Sequence, residues 1–313
     1  MLHLRVVCPP ERTADVRDVL TGEPGAAHLV VQRGVAVQPA GDLVEAVVAR
    51  ECADDVLARL ADLGVDHDGG ITLEELDTVL SDRADAAEEA APGDGTDAVV
   101  WDELINRTGT ESRLSATFLA FLTIACLLGA IGAVTDSPVT VVGAMVLGPE
   151  FGPIAATAVG LVLRRGDLLR RGGLALAAGF PFAMLVTAGA TLLFDLFGWL
   201  SASSLAHLPQ TDFIYEVGPF SLVVAVLAGA AGMLSLTSAR SSALVGVFIS
   251  VVTVPAAGFA SAAAVEGRWY EAGMSALQLG VNLAGMTVAA ALVLLLARRR
   301  TRRRGADRGL PDG

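Results

Sequence analysis

The chain has 313 residues, 53% of them apolar, and a formal net charge of −12. Residues 1–113 hold 9 arginines against 24 acidic side chains, a net of −15, whereas residues 114–313 hold 13 against 10, a net of +3. An acidic, lysine-free soluble part argues against nucleic acid and against docking on anionic lipid, and the spacing of Cys8, Cys52 and Cys126 argues against a disulfide framework.

Residues 1–80 read as a small α+β domain. Leu2 to Cys8 alternates like a strand, and Pro10 to Leu20 suits a short amphipathic helix opened by proline. Ala27–Val31 and Leu43–Val48 are predicted strands, and Ala53–Leu63 is a predicted helix stopped by Gly64, with Val56, Leu57, Leu60 and Leu63 on one face. Ile71 onward fits a last strand, although Leu73 to Leu76 suits helix equally. Strand-helix-strand-strand-helix-strand is the ferredoxin-like order, used elsewhere for sensing small ligands or for self-pairing. Asp66, Asp68, Gly69, Ile71, Thr72 and Glu75 follow calcium-loop spacing, but Gly64 falls at the first ligand position, and an Asp- and Gly-rich turn explains the same letters. His3, His28, His67 and His207 have no mutual ligand spacing. The N-terminus, with Arg5, Pro9 and Glu11, lacks the apolar core of a signal peptide.

Residues 81–113 form an acidic linker through Thr96, then a stretch from Val99 to Ile105 that suits a short interfacial helix or a plain connector. Residues 114–297 form a membrane domain of six apolar spans, near 114–134, 138–163, 172–197, 218–237, 241–263 and 274–297. Arg164, Arg165, Arg170 and Arg171 follow the second span, Arg240 follows the fourth, and residues 298–313 form a basic tail. The other three loops hold one arginine, Arg268, so both termini are expected in the cytoplasm of a multi-pass cell-membrane protein. Three spans per half would invert one half relative to the other.

The second span carries Gly148-Pro149-Glu150-Phe151-Gly152-Pro153. Two prolines four residues apart should break or kink a helix, and the freed peptide groups must then face protein or a wet cavity. Glu150 inside such a break is the strongest candidate to carry a proton or hold a cation, against a structural role capping loose amides. The fifth span pairs Gly246 with Pro255, preceded by Ser250 and Thr253, which would mend the ladder or ligate an ion. Gln278 and Asn282 share a face of the sixth span and would line a polar path or bond a neighbouring helix. No nucleophile–base pair, phosphate-cradling loop or metal-ligand motif stands out, so neither an enzyme nor a cofactor is expected.

Glu111-Ser112, Asp136-Ser137-Pro138, Gly143-Ala144-Met145 and the Gly-Pro breaks, with Gly246 to Pro255 and Asn282-Leu283, resemble the DUF389 family of prokaryotic membrane proteins over most of 98–297. The resemblance implies a membrane protein and no established substrate. Glu150-Phe151 departs from the apolar residues that the family pattern implies between the two prolines. The expected function is passage of a small solute or ion through spans two and five, with the N-terminal domain gating or assembling a homo-oligomer. The alternative is a membrane-anchored ligand sensor or scaffold.

Overall fold

The computed structural model of the protein describes residues 1–91, 98–199, 218–238 and 253–307. The chain divides between Leu104 and Ile105 into two compact units. The first is built on four strands, β1 (Leu2–Cys8), β2 (Ala26–Val37), β3 (Ala40–Val48) and β4 (Gly70–Glu75), paired antiparallel in the order β2-β3-β1-β4. In β1 the alternation places Leu2, Leu4, Val6 and Cys8 on the buried face. Leu4, Val6 and Cys8 pack on Val16 and Leu20 of α1 (Thr13–Thr21) and on Val56 and Leu60 of α2 (Ala53–Asp62), and Leu2 packs with Ala53 and Val100. A single turn, α3 (Val65–Asp68), follows Gly64, whose φ of +72° suits glycine.

The β2–β3 hairpin is longer than the predicted strands. Gln32 to Gly41 falls between the two predicted strands, yet Asp42 stitches it into the sheet. Its carboxylate accepts from the Gly34 amide at 2.8 Å and from the Thr13 hydroxyl at 2.7 Å. The stretch expected to be a plain linker also holds α4 (Asp82–Ala90), capped by the Ser81 hydroxyl, with Ala84 and Ala87 buried. Alanine's high helix propensity explains this.

Arg50 is only 6% exposed and ties the unit together. It donates to Glu75 at 3.3 Å, to Glu103 at 3.0 Å and to the Ala98 carbonyl at 3.1 Å. Arg50→Ala leaves both carboxylates and the carbonyl without it. The expected cost is about 2 kcal/mol, read as a lower urea midpoint of a 1–104 fragment.

Beside it, burial raises the Asp54 carboxyl to about 7, opposed by its bond from the Trp101 amide at 3.0 Å, with Asp102 and Asp55 adding repulsion and Arg50 opposing. The folded value lies above the ordinary 3.8, so the protonated group favours the fold. That contribution is complete below about pH 4 and is lost as pH rises through about 7. Asp54→Asn is expected to flatten the pH dependence of the fragment's urea midpoint in that window, where the native slope approaches about 1.4 kcal/mol per pH unit.

The second unit is helical. Next to α5 (Trp101–Glu111), whose first turn belongs to the first unit, come α6 (Ala116–Val134), α7 (Pro138–Leu147), α8 (Phe151–Leu163) and α9 (Gly166–Leu196). Then follow α10 (Pro219–Thr237), α11 (Val254–Val265) and α12 (Trp269–Asp307). Serine hydroxyls open two of them: Ser115 accepts from the Phe118 amide, and Ser137 accepts from the Thr140 amide one residue before Pro138.

Among the described residues four helices, α6, α9, α10 and α12 to Arg299, are long and apolar enough to cross a membrane, and α7 with α8 makes a fifth if counted as one span. Residues 241–252 of the expected fifth span, Gly246 and Ser250 included, lie outside the described residues. α5 is longer than the expected Val99–Ile105, and Ser112 just after it is buried. Two arginine clusters also sit elsewhere than expected. α9 starts at Gly166, so Arg170 and Arg171 are helical rather than in a loop, and α12 runs into the basic tail. Arginine is a good helix former, so it extends the apolar run of α9 at its start and that of α12 at its end.

Candidate functional site

The helical chain is interrupted at Gly148-Pro149-Glu150. α7 stops at Leu147, α8 starts at Phe151, and their axes differ by 51°. Only one break occurs, however. Pro153 is the third residue of α8, a first-turn position whose amide has no intrahelical partner in any case. Pro255 likewise stands in the first turn of α11. Each proline begins a helix instead of breaking one.

Glu150 occupies the residue before α8, is 0% exposed, and makes no side-chain cap to that helix. The capping role open to it from sequence is not the one it plays. Its carboxylate oxygen Oε1 accepts from the Thr253 hydroxyl at 2.5 Å, and Thr253 is the residue before α11. The starts of α8 and α11, 103 residues apart in sequence, therefore meet at one carboxylate.

Close backbone approach holds this junction. Gly129 of α6 lies against Val254 and Pro255, and a side chain on Gly258 would strike the backbone of Cys126 and Ala130. A side chain on Gly152 would strike Glu111 at the end of α5. Gly148, Pro149 and Gly152 also line a cavity of about 460 Å³, together with Arg107, Arg113 and Ser115. The interruption thus has a mostly apolar cavity with two arginines in its wall on one side and a buried carboxylate beside it.

A second polar group lies on α12. Gln278 and Asn282 are both buried and do share a face, and Ser221 of α10 joins them. Gln278 donates to the Ser221 hydroxyl at 3.2 Å, which in turn donates to Asn282 Oδ1 at 3.2 Å. Ser275, one turn earlier on the same face, donates to the Ala256 carbonyl of α11 at 2.9 Å. Sequence reasoning missed Ser221 and Ser275. The 275, 278, 282 spacing carried a signal for Ser275, whereas nothing local marked Ser221.

The calcium-loop residues do not assemble. Asp66 and Asp68 sit on the single turn of α3, while Glu75 is engaged by Arg50. Among the described residues no three His, Cys, Asp or Glu side chains are placed to share a metal.

No curated protein and no solved structure matches the chain. The family model described as "Domain of unknown function (DUF389)" matches residues 145–288, a shorter stretch than the resemblance suggested. Glu111-Ser112 and Asp136-Ser137-Pro138 fall outside it, and the break, Glu150, Pro255, Gln278 and Asn282 fall within it. Through residues 145–288, the chain belongs to the DUF389 family.

Proposed function

We propose that the helical unit is a transporter or channel for a small solute or ion, and that Glu150 guards its route. One observation carries this reading: an interruption whose backbone lines a cavity with Arg107 and Arg113 in its wall adjoins a wholly buried carboxylate bonded to Thr253, the residue before α11. Hydrocarbon does not tolerate open peptide groups, so such a break encloses something polar. The cavity is bounded by the start of α6 and the end of α10. The arginine distribution assigns that side to the cytoplasm, so this conformation opens inward and is closed at Glu150. In this reading six spans form two inverted halves in the cell membrane, with both termini cytoplasmic. The N-terminal unit, ferredoxin-like in its strand order, gates the route or assembles a homo-oligomer. No reaction and no cofactor are assigned to the chain.

The test is flux through the purified full chain in proteoliposomes, with a panel of ions and small solutes. Native protein should pass at least one of them, and Glu150→Gln and Pro255→Ala should slow it. Native protein inert to the whole panel, with residues 1–104 binding a small ligand tightly, would establish the sensor instead.

A further inference from the structure

A cleft of about 540 Å³ lies where α8 ends against α12. α8 stops at Leu163, and Arg164, with φ +56°, turns the chain towards α9. Arg298 of α12 donates through Nη1 to the Val162 carbonyl at 2.9 Å, which fixes a guanidinium at the carbonyl end of α8. A cation is favoured at that end of a helix, so part of its role is structural.

The rest of the cleft points to a ligand. Arg164 and Arg298 are the charged residues of its lining, and both are basic. Asp167, close by in sequence, is paired with Arg165 at 3.1 Å. The remaining wall includes Leu161 and Leu295, which are 51% and 40% exposed. Two guanidinium groups at the head of an outward-facing leucine wall match an amphiphile with an anionic phosphate at one end and hydrocarbon at the other.

We propose that this cleft seats the phosphate of an anionic phospholipid, whose acyl chains lie along Leu161 and Leu295. A free phosphate would satisfy the arginines but would leave the leucines unused. The inference rests on α8 and α12 lying in a bilayer and is independent of whether the chain transports anything. The bound lipid would brace the end of α8 against α12, at the end opposite Glu150.

The test is native mass spectrometry of the full chain released from nanodiscs of equimolar phosphatidylglycerol and phosphatidylcholine. The native chain should retain one phosphatidylglycerol in preference to phosphatidylcholine, with each arginine contributing about fivefold to the preference. Two variants separate the seat from the fold. Arg164→Gly removes a cation while placing glycine at a left-handed position that suits it, so its thermal midpoint in phosphatidylcholine should hold or rise while the preference falls about fivefold. Arg298→Gln removes the charge and keeps a polar side chain of similar helix propensity, and its preference should fall by a similar factor. Equal retention of the two lipids by the native chain overturns the proposal, and so does a preference that both variants keep. Displacement of the lipid by millimolar inorganic phosphate would make the cleft a free-anion site and overturn the lipid assignment.

Discussion

Glu150→Gln is expected to slow flux at least about tenfold, the equivalent of 1.4 kcal/mol in the barrier, while the helical unit keeps its fold. The two effects separate because they depend on different atoms. Glutamine retains an oxygen that accepts from the Thr253 hydroxyl, now placed at 2.5 Å from Oε1, so the contact between α8 and α11 survives. It cannot change charge, so a step that needs a proton or a cation at this carboxylate is lost. Taking a carboxylate out of water costs several kcal/mol, and Glu150 is wholly buried. The thermal midpoint in detergent should therefore hold or rise, within about 2 kcal/mol. Thr253→Val reverses the pattern: it removes the donor and should destabilise by about 1–3 kcal/mol. Combining the two changes should show a coupling of about 0.5–3 kcal/mol if the hydrogen bond is a structural link. Native flux in Glu150→Gln would remove the carboxylate from the route, and additive stabilities would reduce the bond to incidental contact.

How much of this site was legible depends on the distance between its parts. The interruption at Gly148-Pro149 was readable because proline acts on its own backbone, within one turn. Pro153 misled for the same reason: a local rule forbids proline inside a helix and permits it in the first turn, and its position depends on where the new helix starts. The partner of Glu150 was not legible. Thr253 is brought to it by the packing of α6 against α11, which no window of sequence contains. Gln278 and Asn282 were legible as a face, and their partner Ser221 on another helix was not. In the first unit the buried alternation of β1 declared itself, whereas the extension of β2 depends on Asp42 reaching across to Gly34 and Thr13. Short-range chemistry is written in the chain, and tertiary partners are written in the packing.

Gly258→Ala should be one of the most damaging small substitutions in the helical unit. Between helices in a bilayer there is no hydrophobic drive, so association relies on close van der Waals packing and small residues. A Cβ at Gly258 would lie 2.5 Å from the Cys126 carbonyl oxygen and 2.6 Å from the Ala130 amide nitrogen, both backbone atoms of α6. Backbone inside a helix cannot yield as a side-chain tip can, so α11 must move away from α6, at a cost of about 1–3 kcal/mol or more. Gly129 faces the same crossing from α6, with Pro255 Cα and the Val254 carbonyl oxygen at 3.3 Å, so Gly129→Ala should cost less. Gly143, midway along α7, meets nothing within 4 Å, and alanine there should gain about 0.5–1 kcal/mol from helix propensity alone. Thermal midpoints in detergent should therefore rise from Gly258→Ala through Gly129→Ala and native to Gly143→Ala. Flux adds a second reading. Displacing α11 draws Thr253 away from Glu150, so Gly258→Ala should lose transport in protein that still extracts as a folded species. A native midpoint in Gly258→Ala would mean that α6 and α11 do not touch backbone to backbone, and the meeting of the starts of α8 and α11 would lose its support.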